Sequence, residues 1–383
     1  MVSLSFLQNT RRQIHQYPEL GLNEHKTTAF IIEHIKKLSL TYFTPLETGV
    51  IALLEGSSDQ TIAFRADIDA LPIEEMNSID YRSTVKNVMH ACGHDGHTTN
   101  LIALMYALVA YKEKYGLKHN IMFIFQPSEE ANAGAKLLMD AFDFNSFHIK
   151  AIFGMHLMPD APTGEVLYKN DEITASATEY RFFINGKSAH VANKHTGHAA
   201  SEALLLTLQQ VATIQQFHLP GLNKNIVHIG QFNAGEAINT VPSNGYLEGT
   251  IRTYSPQDLN IIKNQMMNIA KSVELTTQCN VRVEFAEGYP ATYNNASLKE
   301  KIDQACKNVN LTPVILYQPY LFGEDFAFYR DIAPSYFVFV GCRNEALGHT
   351  SGLHTNTFNF DEAVLFNSLN LFIEIVRSYD NEC

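Results

Sequence analysis

Short apolar runs that end abruptly in polar residues recur along this chain of 383 residues. Continuous apolar runs of this length are typical of strands that are buried on both faces of a sheet. They lie at residues 50–54, 61–66, 121–125, 151–155 and 336–341. Segments with the apolar spacing of helices occur at residues 3–39, 97–115, 298–309 and 361–379. Together these patterns predict an α/β domain.

The middle of the chain follows a different order. Predicted strands at residues 179–184, 226–232, 246–254 and 281–285 combine with predicted helices at 199–217 and 256–278. The order β-α-β-β-α-β is typical of a two-layer, ferredoxin-like α+β domain. We therefore predict a main domain formed by residues 1–175 and 289–383, with a second domain of residues 176–288 inserted into it.

Composition restricts the classes of partner. A formal charge of −12 argues against a nucleic-acid surface, which needs clustered basic residues. No apolar run approaches the ~18 residues of a membrane span, and the N-terminus lacks the apolar core of a secretory signal. The five cysteines, at positions 92, 279, 306, 342 and 383, include no CxxC pair, which is typical of a reducing compartment. We expect a cytoplasmic protein without nucleic-acid or membrane partners.

Residues 89–97 (MHACGHDGH) contain three histidines, a cysteine and an aspartate. The spacing of Cys92 and His94 places a thiol and an imidazole on the same side of an extended segment, where both can bind one divalent ion. A loop with one buried thiol and no metal is the alternative that this segment leaves open. Because a predicted helix follows, its dipole is expected to favour the ionised form of Cys92.

Further metal-binding residue types follow the ends of predicted strands. Residues 65–72 (RADIDALP) carry two aspartates, and residues 126–130 (QPSEE) carry Glu129 and Glu130. His156 directly follows one strand, and His354 lies beyond the strand at 336–341. Open α/β sheets bind ligands at the carboxyl ends of their strands. Taken singly, the aspartates also fit a salt-bridged turn, the glutamates a helix start, and each histidine a core position.

Five of these side chains form one candidate ligand set: Cys92, His94, Glu130, His156 and His354. A single catalytic ion takes about three protein ligands, so five suit two divalent ions that share a ligand. A thiolate favours Zn²⁺, whereas carboxylate and imidazole also accept Mn²⁺ or Co²⁺. Glu129 is placed to take a proton from water and pass it to a leaving amine. The set predicts hydrolysis of an amide or peptide bond.

Seven segments, in order along nearly the whole chain, resemble the motif series of the N-acyl-amino-acid amidohydrolases. These enzymes are the cysteine-containing branch of the dinuclear aminoacylase and carboxypeptidase family, which includes hippurate hydrolase, auxin-conjugate amidohydrolases and N-acetyldiaminopimelate deacetylase. The segments are RADIDALP (65–72), MHACGHDGH (89–97), QPSEE (126–130), GMH (154–156), GTIR (249–252), GEDF (323–326) and GLH (352–354).

The resemblance implies a mixed, largely parallel sheet flanked by helices, and an inserted domain that acts as a lid. It implies the same five metal ligands, with Glu129 as general base. In the inserted domain, His190 would stabilise the oxyanion, while Asn239 and Arg252 would hold the substrate carboxylate. His90 and His97 are interpreted as residues that support the ligands or begin the helix, and Asp95 as one that orients a neighbour.

Two departures from the family pattern affect the substrate more than the metals. The lid loop at residues 188–199 lacks the usual His-x-x-x-Asp-Pro sequence, and Ser128 stands where alanine is common. We expect a metal-dependent amidohydrolase that cleaves an N-acyl amino acid and forms a homodimer or tetramer. The alternatives are a dipeptidase or carboxypeptidase with the same dinuclear site, and a non-catalytic metal-binding or amino-acid-sensing protein.

Overall fold

The computed structural model describes residues 2–286 and 288–381. It divides into two compact units. The first contains the chain up to Ile173, together with Tyr293–Gln318 and the segment from Asp325 onwards. The second contains Thr174–Thr292 and Pro319–Glu324. The short segment Pro319–Glu324 belongs to the second unit, which no sequence pattern had indicated.

The first unit is built around an eight-stranded mixed sheet. Its four central strands run parallel to one another, and antiparallel strands occur on both sides of them. This confirms the predicted α/β class with a mixed, largely parallel sheet. The strands in spatial order are Thr41–Phe43, Val50–Leu54, Asn120–Gln126, Thr61–Asp67, Ile149–Pro162, Ser335–Arg343, Glu165–Tyr168 and Thr312–Ile315.

Helices flank this sheet. The longest one, His94–Tyr115, is buried at every position of its first three turns and packs against the strand Thr61–Asp67. The longer helices of this unit are Leu4–Gln16, His25–Lys37, His94–Tyr115, Gly134–Ala141, Lys299–Asn308 and Val364–Asp380.

The second unit has a four-stranded antiparallel sheet with the strand order of a ferredoxin-like domain. The strands in spatial order are Asn225–Ala234, Asn244–Thr253, Ser176–Asn185 and Asn280–Phe285. Helices Ala200–Val211 and Pro256–Thr277 form an apolar core with one face of the sheet, and Ile214–His218 is a separate short helix. The single helix predicted at residues 199–217 is therefore two.

Cys92, Cys279, Cys306 and Cys342 are all buried free thiols, and Cys383 lies outside the described residues. Across the part of the chain that the structure describes, no helix combines the length and apolar character that membrane crossing requires.

Candidate metal centre

The carboxyl ends of three central strands meet in the first unit. Asp67 and Gln126 end two neighbouring parallel strands and pair with each other in register. His156 lies two residues past Gly154, the last residue of its strand that pairs with the strand of Asp67. Because the strands are parallel, the loops that follow them share one edge of the sheet.

The loop with Cys92 enters this edge through a left-handed turn. Gly93 has a φ of +90°, a conformation that a residue with a side chain rarely adopts. The helix begins at the very next residue, His94. The sharp turn presents Cys92 and His94 together, and both side chains are buried.

Glu129 and Glu130 begin a one-turn helix, Glu129–Asn132, and the residues directly before and after it have strained backbones. Ser128 and Ala133 both have left-handed backbone conformations, with φ of 52° and 50°. Such conformations in non-glycine residues cost about 1 kcal/mol or more and persist only where the surroundings enforce them. The backbone N–H of Ser128 donates to the buried carboxylate of Glu24 at 2.8 Å, which helps to hold the turn.

His354 comes from the loop after the returning strand and also has a left-handed backbone, with a φ of 59°. Its backbone N–H donates to the carbonyl oxygen of Ala91 at 2.8 Å, which ties this loop to the loop of Cys92. The side chain of His354 is 51% exposed, whereas His94 and His156 are buried.

The structure brings the five predicted ligands together around Cys92. The sulfur atom lies 3.3 Å from Nε2 of His156 and 3.2 Å from Nε2 of His354. The Oε1 atom of Glu130 lies 3.1 Å from Nε2 of His354 and 3.9 Å from Nε2 of His94. Cys92 belongs to two compact ligand groups, one with His94 and His156 and the other with Glu130 and His354. A thiolate shared by two groups suits two ions with one bridging ligand.

Hydrogen bonds orient the imidazoles so that Nε2 faces the centre. Nδ1 of His156 donates to the carbonyl oxygen of Leu157 at 2.6 Å, and Nδ1 of His94 donates to Asp69 at 3.0–3.1 Å. A hydrogen bond of this kind at one ring nitrogen fixes the tautomer that leaves the other free to bind a metal.

Two buried atoms at the centre fit a cation. Within residues 2–286 and 288–381, Nε2 of His94 and Oε1 of Glu130 are both buried without a hydrogen bond. Buried polar atoms are normally paired, and the binding of an ion is one of the established reasons for an exception. The residues present therefore fit a divalent ion at this position.

The electrostatics lead to the same conclusion. Burial, followed by the charges of Glu130, Glu129 and Asp67, raises the pKa of the Cys92 thiol well above its usual value. The expected effect of the helix dipole on Cys92 is therefore outweighed, because dehydration and nearby carboxylates both oppose a thiolate. Burial would lower the pKa of His94, but Asp67, Asp69 and Glu130 together raise it to about 10. A cation would balance this excess of negative charge.

Supporting residues account for much of the geometry. Asp69 accepts from His94 and, through Oδ2, from the backbone N–H of Glu130 at 3.0 Å, so one carboxylate joins two ligand loops. Asp67 accepts from Nδ1 of His97 at 2.6 Å. The sequence had left these aspartates as either a ligand site or a salt-bridged turn. The available signal was their spacing: Asp67 ends a strand and Asp69 lies two residues later, so an extended backbone turns both side chains to the same side.

The residues predicted in the lid lie in the second unit. His190 and Asn239 are adjacent: the strand pair Ala189–His190 and Thr240–Val241 joins their segments, and the carbonyl oxygen of Asn239 accepts from Val191 at 3.0 Å. Both side chains are exposed. Nδ1 of His190 accepts from the backbone N–H of Ala192 at 3.1 Å, which leaves Nε2 available.

Arg252 belongs to the four-stranded sheet of the same unit, near the end of the strand Asn244–Thr253. Arg252 pairs with Ala177 across the sheet. Asn244, at the start of the same strand, pairs with Asn185, which ends the strand that precedes His190 in the chain. The eight residue-to-residue steps from Asn244 to Arg252 span about 26 Å. Burial lowers the pKa of this half-buried arginine, and Glu179 opposes that effect. The structure thus brings His190 and Asn239 together but does not bring Arg252 to them within one copy.

A profile of the peptidase family M20/M25/M40 matches residues 63–378. The chain belongs to this family. It is therefore a hydrolase, which confirms the expectation of an enzyme over the alternative of a non-catalytic protein. The roles of the individual site residues and the identity of the metals stay predictions.

Relatives of this M20 hydrolase match it over its whole length. An uncharacterized hydrolase of Staphylococcus haemolyticus is 53% identical over 383 residues, which is 100% of both chains. The YXEP protein of Bacillus subtilis, described as a dinuclear metal-binding peptidase of the M20 family, is 29% identical with a TM-score of 0.85 over 99% of both chains. A protein of methicillin-resistant Staphylococcus aureus, provisionally named an aminohydrolase, has a TM-score of 0.92 at 27% identity, over 99% of this chain and 97% of its own.

Proposed function

We propose that this M20 hydrolase cleaves the amide bond of N-acyl amino acids and releases a carboxylic acid and a free amino acid. The observation that carries the proposal is the position of Glu129, a buried carboxylate that forms one compact group with His94 and Glu130. A general base directly beside two metal ligands is the arrangement that amide hydrolysis by water requires.

Cys92, His94, Glu130, His156 and His354 would hold two divalent ions, either Mn²⁺ or Zn²⁺, with Co²⁺ as a further option. When bound, the ions would polarise the scissile carbonyl and make water more acidic. Glu129 takes the proton from the attacking water and delivers it to the nitrogen of the leaving amino acid. The backbone N–H of Asp325 donates to Oε1 of Glu129 at 3.4 Å and so orients this carboxylate.

In the second unit, His190 is proposed to stabilise the oxyanion, and Asn239 and Arg252 to bind the substrate carboxylate. An N-acyl amino acid is much shorter than the distance of about 26 Å that separates Arg252 from the other end of its strand. We therefore propose a homodimer in which His190 and Asn239 of one copy and Arg252 of the other act on the same substrate.

Mixing two inactive variants tests this dimer. Glu129→Gln lacks the base and His190→Ala lacks the lid histidine, so a mixed dimer would contain one complete site if the lid of one copy serves the other. Activity that returns after mixing and re-association supports the proposal. Mixtures that stay as inactive as the separate variants contradict it, and light scattering distinguishes a dimer from a tetramer.

A substrate screen tests the reaction itself. The protein loaded with Mn²⁺ or Zn²⁺ is offered acetyl, benzoyl and longer acyl amino acids, including N-acetyldiaminopimelate, and free dipeptides. We expect turnover of at least one acyl amino acid at a kcat/KM at least tenfold above that of any dipeptide. The opposite order would favour a dipeptidase or carboxypeptidase, the second candidate, which the description of the Bacillus subtilis relative as a peptidase supports.

We also propose that the protein works in the cytoplasm. The four described cysteines are free and buried, which suits a reducing compartment.

A further inference from the structure

A buried arginine joins two parts of the candidate centre that are distant in sequence. Arg65 lies within the central strand Thr61–Asp67 and is 2% exposed. Its Nε donates to Gln126, Nη1 to Asp67 and Nη2 to Asp325, each at 2.7 Å. Three short hydrogen bonds to three side chains use the planar fork of the guanidinium group, which the point charge of a lysine cannot reproduce.

One side of this fork leads to the general base. The carboxylate of Asp325 accepts from Arg65, from Nε2 of Gln126 at 2.8–2.9 Å and from the backbone N–H of Ala135 at 2.9 Å. Gln126 and Ala135 lie just before and just after the turn that carries Glu129. Asp325 thus holds both ends of this turn, and its own N–H donates to the Glu129 carboxylate.

The other side leads to the metal ligands. Asp67 accepts from Arg65 through Oδ2 and from Nδ1 of His97 through Oδ1. Nε2 of His97 in turn accepts from the backbone N–H of Leu157 at 3.0 Å, and the carbonyl oxygen of Leu157 fixes the ring of His156. A continuous series of hydrogen bonds therefore runs from Arg65 to a predicted ligand.

We propose that Arg65 is a positioning residue: by bridging Asp325 and Asp67, it fixes the positions of the general base Glu129 and the ligand His156 relative to each other. The part that concerns Glu129 rests on the proposed function. Arg65 also places one positive charge between two buried carboxylates, which offsets part of the cost of burying them.

Two variants separate the ends of the bridge. Asp325→Asn alters only the end towards Glu129, and Arg65→Lys keeps the charge but loses the fork at both ends. Asp258→Asn is the matched control, because Asp258 is a buried carboxylate of the second unit that accepts hydrogen bonds from Asn223 and Asn225. For each variant we would measure the Kd of Mn²⁺ from free Mn²⁺ by electron paramagnetic resonance, kcat and KM with saturating Mn²⁺, and the thermal unfolding temperature.

We expect Asp325→Asn to lower kcat about 10- to 100-fold with KM and the Kd of Mn²⁺ within about threefold of the wild type, since a small misplacement of a catalytic group has effects of this size. Arg65→Lys should also weaken Mn²⁺ binding about tenfold or more, as changes behind metal ligands do. Asp258→Asn should change only the unfolding temperature.

A merely structural role predicts another result. Both variants would then have lower unfolding temperatures, but a wild-type kcat at saturating Mn²⁺ and a wild-type Kd for Mn²⁺. That result would overturn the proposal. If Arg65→Lys does not fold, Asp325→Asn decides alone, and a wild-type kcat would contradict the bridge. If the wild type hydrolyses no acyl amino acid, the proposed function fails, and the effect of Arg65→Lys on Mn²⁺ binding still decides for or against the bridge.

Discussion

The Nε2 atom of His354 lies 3.2 Å from the sulfur of Cys92, although 262 positions separate the two residues along the chain. Their meeting brings the exposed loop of the returning strand onto the buried loop before the long helix.

Metal affinity should rise steeply with pH. Without a cation, burial and the neighbouring carboxylates keep Cys92 a neutral thiol, and Asp67, Asp69 and Glu130 overcome burial to raise the pKa of His94 to about 10. Both groups must lose a proton to bind a metal. Between pH 6.5 and 8.5 we expect the Kd of Zn²⁺ to fall by up to about 100-fold per pH unit, and by about tenfold per unit in Cys92→Ser. Calorimetry in buffers of different ionisation enthalpy counts the protons released, and a pH-independent Kd would contradict this assignment.

Glu129 and Glu130 should fail in different ways when each is changed to glutamine. Glu129→Gln should keep both metal ions and lose about 10³-fold or more in kcat, because the base is removed while the ligands stay. Glu130→Gln should bind metal more weakly, because the substitution removes a ligand, and its kcat should fall as a consequence. Metal content by mass spectrometry, measured beside kcat, separates the two, and a Glu129→Gln enzyme with near-normal kcat would exclude Glu129 as the base.

Arg11 and Arg12 are adjacent but should differ in their contribution to stability. Arg11 is buried, and its Nε donates to Asp95 at 2.8 Å, next to the predicted ligand His94. Arg12 pairs with Glu362 but its side chain is 42% exposed. Arg11→Met should lower the free energy of unfolding by about 3 to 5 kcal/mol, since a buried carboxylate loses a partner, whereas Arg12→Met should cost about 1 kcal/mol or less.

Urea unfolding of the two variants provides this comparison, with Mn²⁺ at a fixed concentration. Equal losses would show that the buried pair between Arg11 and Asp95 makes no special contribution.

His34 should make the fold sensitive to mild acid. Burial lowers its pKa to about 4 from 6.5, and Nδ1 lies 3.0 Å from the hydroxyl of Tyr106. The unfolded state therefore takes up a proton at a higher pH than the folded state, so this stability is full above pH 6.5 and falls as the pH drops towards 4. The loss amounts to about 3 kcal/mol by pH 4.

His34→Gln, which is neutral at every pH, should flatten this part of the stability curve. His25 lies exposed on the same helix and provides the matched control. If His25→Gln and His34→Gln change the curve to the same extent between pH 6.5 and 4, burial of His34 is not its cause.

The sequence predicted the chemistry of the centre better than its supports. Cys92 and His94 are two residues apart, Glu130 follows an apolar strand and His156 follows an apolar run, so local patterns were enough to select them. The strand of His156 nevertheless continues past it to Pro162, because residues beyond Met155 still pair with the returning strand. The contact of Arg65 with Asp325 could not be found in this way, because Asp325 lies 260 positions away and only the tertiary fold brings the two together. The left-handed backbones of Ser128 and His354 were also beyond prediction, since neither residue type demands that conformation.

The second unit shows the same limit. Its order of strands and helices followed from apolar spacing, but the pairing of Arg252 with Ala177, at the far end of the strand from Asn185, depends on which residues pair across strands. The strands Thr41–Phe43 and Glu165–Tyr168 were missed because three or four residues carry too little pattern to stand out.

The burial of the helix His94–Tyr115 affects the order in which the centre comes apart. Its first three turns are enclosed on all sides, so their amide hydrogens should exchange with solvent only when the whole unit unfolds. The loop of His354 is exposed and can open locally. We therefore expect His354 to leave and return within the native state, while His94 moves away from the centre only in global unfolding. Metal exchange, which would begin with the loop of His354, and denaturation, which would release His94, are then two different kinetic events.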